Sequence, residues 1–149
     1  MLHHWIIALA PPVKRRPRTA ARPGQVTVAQ LKRLARYITY ARDGRQCRWC
    51  GSRGRMNWHH VFSQGGHAHL KADLDNCVIL CVNCHLRRWH QGDAREGMAW
   101  WAKELGTEKW RSLELRAKSR RGRTDNFAVK AYLEAEAKRI GVTEDASKP

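Results

Sequence analysis

The chain has 149 residues, the length of one domain or of a small domain with appended helices. Its 29 Lys and Arg against 13 Asp and Glu give a formal net charge of +16, and 42% of the residues are apolar. That balance excludes an acidic solvating tail or a neutral metabolic enzyme as a first guess. It makes a polyanion the expected partner, nucleic acid ahead of an anionic membrane, and leaves a modest core that a metal or added helices would help stabilise.

The charge is uneven, because residues 1–46 hold ten basic side chains and one acid. No apolar run reaches the roughly 18–20 residues that span a bilayer. The stretch from Trp5 to Leu9 is short and has no positive flank before it, so it reads as an ordered edge or frayed terminus rather than a signal peptide. A cytoplasmic protein is expected. Residues 11–23 combine four prolines with Lys14, Arg15, Arg16, Arg18 and Arg22. Such a segment cannot form helix and reads as an extended arm (1–25) that either tracks a phosphate backbone or is a plain tail.

The first helix is expected after Thr27, whose partner three residues on, Gln30, completes a capping box. Leu31, Leu34, Ala35, Ile38 and Ala41 form its apolar stripe, with Lys32, Arg33 and Arg36 off the stripe and facing solvent or DNA. Asp43 and Gly44 end it.

Cysteine usage carries the first sharp signal. Cys47 and Cys50 form one C-x-x-C pair and Cys81 and Cys84 another, the spacing of two knuckles that bring four thiolates around one Zn²⁺. Arg48 and Arg53 stand near enough in sequence to favour the thiolates. A redox dithiol is the alternative. Cys77 lies in an apolar stretch, Cys77 to Leu80, and reads as a small buried side chain.

Thirty residues separate the pairs, more than a plain zinc ribbon needs. They include Trp58, His59 and His60, a glycine loop at Gly65 and Gly66, and Asn76, and His85 follows the last cysteine. Residues 56–62 read as a strand, Cys77 to Leu80 as its antiparallel partner, and the segment before Gly92 as a short helix. Neighbours on a strand point to opposite sides, so one of His59 and His60 can meet a metal with His85 while the other faces a substrate. His90, five residues after His85, falls about 140° away on an α-helix and is a poor third ligand. His67 and His69 flank the glycine loop and are read as loop residues ahead of phosphate contacts.

In His59, His60, Asn76 and His85, framed by the four cysteines, the chain resembles the HNH nucleases over about residues 47–92. The run from His60 to Leu70 is also similar to phage NinG-type recombination proteins, which commonly carry Asn where this chain has His85. The resemblance implies an α+β fold, a small ββα-metal core with a four-cysteine zinc site flanked by N- and C-terminal helices. It implies His60 as general base, His59 and His85 as ligands of a catalytic metal, Asn76 as the brace of the loop carrying the base, and the cysteines as a structural Zn²⁺ site. Many family members have Asp where His59 stands. Two imidazoles without an evident carboxylate favour Mn²⁺, Ni²⁺ or Zn²⁺ over Mg²⁺.

Farther on, Asp93 opens a helix through about Leu105 with Met98, Trp101 and Leu105 inward. Thr107 is expected to cap the next, with Trp110, Leu113 and Leu115 inward, and the aromatic residues are read as core rather than base-stacking platforms. Residues 119–149 form a basic hinge and a last helix opened by Thr124 or Asp125 and closed by Gly141, with 142–149 frayed. The expected function is a metal-dependent endonuclease hydrolysing phosphodiester bonds in DNA, most readily double-stranded, within a nuclease unit at 26–118. The alternatives are a zinc module that docks on nucleic acid without cutting, and an RNase or junction-specific nuclease. Protein partners are not indicated.

Overall fold

A computed structural model describes residues 24–119 and 124–142. Lys14, Arg15, Arg16, Arg18 and the rest of the basic arm lie outside the described residues. Helix α1 spans Val28–Arg42, strand β1 Met56–His60 and strand β2 Cys77–Cys81. A π-helical segment covers Cys84–His90, followed by α2 (Ala94–Leu105), α3 (Thr107–Lys118) and α4 (Asn126–Arg139). The mixture of helices with one two-stranded antiparallel sheet is compatible with an α+β class.

The ends of the helices follow local chemistry. Thr27 and Gln30 form the capping box at α1, with the Gln30 N–H donating to Thr27 Oγ1 at 3.2 Å and Thr27 N–H donating to Gln30 Oε1 at 2.8 Å. Asp93 accepts from Arg95 N–H, and Asp125 accepts from the N–H groups of Phe127 and Ala128. The third expected cap is corrected: Gly106 (φ +88°) is the N-cap of α3, and Thr107 is already the first helical residue. The direct turn from α2 into α3 needs a left-handed residue at that point, and glycine adopts it without penalty.

Strand β2 is the wall between two apolar clusters. Val78, Ile79 and Leu80 are fully buried. On one side Val78 and Leu80 join Val61, Trp89 and Trp101, with Met98, Leu105 and Trp110 packed at the margin. The second cluster joins Leu31, Ala35 and Ile38 of α1 to Leu74 and to Leu133 and Ala137 of α4, so the last helix packs back onto the first. Burying each such side chain contributes about 1.5–3 kcal/mol.

Two residues expected to face inward, and one expected to fray, are reassigned. In α1 the stripe ends on Thr39, which is buried with its hydroxyl donating to Ala35 O, while Ala41 is exposed. Leu115 is 64% exposed, and of the pair only Leu113 is buried. Val142 packs on the α1–α4 cluster with its N–H donating to Ala137 O at 2.8 Å, so it closes α4 rather than fraying.

Asp43 does more than stop α1. Its carboxylate is 3% exposed, accepts the Ile79 N–H at 3.0 Å and is clamped by Arg42 at 2.7 and 3.1 Å. Arg42 also donates to the carbonyls of Leu74 and Cys77. A buried carboxylate is tolerable only when paired and hydrogen-bonded in this way, and the pair pins the end of α1 to β2.

Candidate metal centre and its neighbouring histidine

The four cysteines converge. The first knuckle turns through Gly51 (φ +71°), with Gly51 N–H donating to Cys47 O and Cys47 N–H to Ser52 O, and Arg48 N–H ties it to Ile79 O of β2. Cys81 ends β2 and Cys84 begins the π-helical segment, with the Cys84 N–H donating to Cys81 Sγ. All four Sγ atoms lie within 4.8 Å of one another, and those of Cys50 and Cys81 are 3.7 Å apart. Sulfurs at about 2.3 Å from a tetrahedral Zn²⁺ stand about 3.8 Å from each other, so the cluster is compatible with a zinc site. Burial, with the other sulfurs nearby, pushes the Cys84 thiol well up, whereas Ser52 brings Cys50 down to about 6. Of the two expected cations, Arg48 pairs with Glu104 at 3.2 Å and Arg53 is exposed. The cation interacting with Cys84 is instead Arg88, which also pairs with Glu96 and lies 3.9 Å over the Trp49 ring.

Cys77 is fully buried in β2, and burial raises its thiol far above the ordinary value, as a small core side chain should behave.

A second cluster is made of nitrogen. His59 and His60 are the last two residues of β1, opposite Val78 and Cys77 of β2. His59 meets His85 and also His90, with one ring nitrogen from each of the three within 4.8 Å of the others and the Nε2 atoms of His85 and His90 3.2 Å apart. This corrects the exclusion of His90. The segment is not α-helical: its hydrogen bonds run from i+5 to i, as in Gln91 N–H to Leu86 O at 2.9 Å, so residues five apart stack on one side. Gly92 permits that closure, since a side chain there would overlap the Arg88 carbonyl.

The environment suits neutral ligands. Burial first, then the facing His85, His90 and His60, push the His59 imidazole down to about 3. Burial and His90 also lower His85. His59 Nε2 and His85 Nδ1 are buried without a hydrogen-bond partner in the protein, an uncompensated cost of about 1–3 kcal/mol each. Imidazole nitrogens left without a partner beside one another fit a divalent cation, which binds them at about 2.0–2.1 Å. Among the described residues no carboxylate belongs to this group.

His60 takes a different role from His59. It is 8% exposed rather than surface-facing, and both ring nitrogens are engaged. Nε2 lies 3.0 Å from Lys71 O, and Nδ1 3.2 Å from Gln64 Nε2. A carbonyl can only accept, so the proton sits on Nε2 and the lone pair on Nδ1. Burial lowers its pKa, partly opposed by the Lys71 carbonyl.

No family model matches this chain, and neither does any curated protein or solved structure.

Asn76 is completely buried and braces the loop after β1. Its Oδ1 accepts Phe62 N–H at 2.7 Å, and its Nδ2 donates to Phe62 O and Leu70 O. It touches neither histidine cluster nor solvent, which makes it a positioning residue. His69 donates to Arg116 O at 2.8 Å, and Arg116 in turn holds Asp73 and Asp75 at 2.7 and 2.9 Å. On α1, Arg33 and Arg36 are exposed as expected, but Lys32 is not free in solvent: its Nζ donates to Gln64 Oε1 at 2.7 Å. Sequence reasoning missed His90 and Gln64. No spacing rule announces a π-turn, and the Lys32–Gln64 bond joins residues 32 apart in the chain.

Proposed function

We propose that this chain is a metal-dependent endonuclease of the HNH kind, hydrolysing phosphodiester bonds in DNA. The observation that carries the reading is the pairing of three convergent imidazoles with unpaired nitrogens and, one residue from His59, a histidine fixed in one tautomer. On this reading β1, β2 and the π-helical segment are the ββα-metal core, with the cysteine cluster as its structural zinc site.

His59, His85 and His90 would hold the catalytic ion. Once bound, a divalent cation such as Mn²⁺, Ni²⁺, Zn²⁺ or Mg²⁺ supplies positive charge against the phosphoryl and leaving oxygens. The protein's own part is proton transfer and orientation. His60 is neutral at pH 7, and its Nδ1 accepts a proton from the attacking water as the new P–O bond forms and the bond to the 3′ oxygen breaks, the departing oxygen taking up a proton from solvent. The Lys71 carbonyl steadies the imidazolium that results, and Asn76 holds the strand-to-loop path that carries His60. The products are a 5′-phosphate and a 3′-hydroxyl. The net charge of +16 and the exposed Arg33, Arg36 and Arg87 favour a polyanionic duplex.

Plasmid relaxation tests the reading, with zinc content measured on the same samples. The wild type should cut with Mn²⁺ or Ni²⁺ at least as well as with Mg²⁺. His60→Asn should lower the rate by about 10²–10⁴ while the protein stays folded, at a cost of about 1–3 kcal/mol for the disturbed buried hydrogen bonds. If the wild type binds DNA but never cuts it with any of these ions, a non-catalytic zinc module is the better description. Cleavage of RNA or branched junctions in preference to duplex DNA would redirect the substrate.

A further inference from the structure

His60 belongs to a chain of hydrogen bonds of which the proposed chemistry uses only the Lys71 carbonyl. Lys32 Nζ on α1 is 2.7 Å from Gln64 Oε1, Gln64 Nε2 is 3.2 Å from His60 Nδ1, and His60 Nε2 is 3.0 Å from Lys71 O. Every direction in it is forced. An ammonium only donates, so Gln64 must present its carbonyl to Lys32 and its NH₂ to the histidine, while Lys71 O demands the Nε2 proton. The amide consequently occupies the very lone pair that a water would need.

Two features make this contact reversible. Among the described residues Lys32 has no carboxylate partner, and its ammonium, 6.0 Å from the Trp58 ring centroid, is satisfied by a neutral amide oxygen. A charge-assisted bond to a phosphate oxygen is roughly twice as strong as one between neutral groups. Gln64 is half-buried, immediately before Gly65 and Gly66, and its bond to His60 is at the long end of the ordinary range.

We propose that Lys32 and Gln64 form a phosphate-operated latch on His60: a phosphodiester draws Lys32 away from Gln64, and the released amide uncovers Nδ1. The proposal rests on His60 being the base and adds how the free protein keeps that base covered. Gln64 is thereby a positioning residue, and Lys32 reports the arrival of the substrate backbone.

The test uses the full-length, zinc-loaded chain labelled with ¹⁵N-histidine, no other divalent ion, and dimethyl phosphate as a bare phosphodiester anion. Gln64→Ala should move the His60 ¹⁵Nδ1 signal downfield to the uncovered imine position before any anion is added. The wild type should start upfield of that position and travel to it as dimethyl phosphate is raised. Lys32→Arg should follow the wild type, whereas Lys32→Met should not respond to the anion. A wild-type signal that stays put at every dimethyl phosphate concentration, moves upfield, or starts where Gln64→Ala lies overturns the latch. None of these readouts depends on cleavage, so a protein that shows the shifts yet never relaxes plasmid loses the nuclease reading on separate grounds.

Discussion

The cysteine cluster and the histidine cluster share the π-helical segment, which supplies Cys84 to one and His85 and His90 to the other, yet their surroundings differ in kind. Around the sulfurs, the Cys84 N–H, Ser52 and Arg88 make contacts with the ligands, and the cluster joins residues 47–50 to residues 81–84. Around the imidazoles, two nitrogens are buried with no partner at all. The first arrangement holds chain segments together, and the second is held by segments that other contacts have already placed.

The hardest way to break this contrast is Cys84→Ser. Structural zinc contributes about 10–16 kcal/mol in finger peptides, against a whole-domain stability of about 5–15 kcal/mol. The variant should lose zinc and its cooperative melt together, as read by metal analysis and circular dichroism. A Cys84→Ser protein that melts like the wild type would mean that the sulfurs do not serve the fold.

Acid titration sharpens the other half. His59 is pushed down to about 3 in the folded chain, while an unfolded histidine titrates near 6.5. Between those values the unfolded chain takes up a proton that the folded chain refuses. The stability tied to neutral His59 is therefore complete above about pH 6.5 and falls as pH drops toward 3. Measured against His59→Gln, which keeps all four cysteines, the wild type should lose on the order of 4 kcal/mol across that window. Urea melts at matched pH, with no ion in the histidine cluster, give the difference. A flat difference would show that His59 is not kept neutral by burial.

The smallest effect comes from outside both clusters. A methyl group on Gly97 of α2 would overlap the Trp89 ring, and that ring packs edge-on to His59 with centroids 4.3 Å apart. Gly97→Ala should cost about 1–3 kcal/mol by overpacking. It should also displace the His59 ring signals in an NMR spectrum while leaving zinc content unchanged. Unmoved His59 signals would show that Trp89 does not transmit the strain.

What was legible in the sequence was local. The capping box at Thr27, the caps at Asp93 and Asp125 and the two C-x-x-C knuckles each need only a few neighbouring residues, and each stands where expected. The hairpin was legible from two short apolar stretches. Misreadings came where tertiary packing decides among local options. Leu115 has the right character but the wrong side of α3, and the sequence, which puts Lys32 toward solvent or DNA, does not show its bond to Gln64 because that partner lies 32 residues on. His90 was discarded by assuming α-helical geometry in a segment whose turn is wider.

That wider turn has a consequence for insertions and deletions. It accommodates one residue more between the two imidazoles than an α-turn, yet residues four apart on an α-helix also share a face. Losing a single residue between His85 and His90 would therefore keep both rings on one side. Everything downstream would instead rotate by about 100°, the angular step of one helical residue, and the chain would enter α2 out of phase with the Trp89–Gly97 contact. The π-turn works as a phase adjuster, letting the histidine pair and the following helix each face β2 at their own angle.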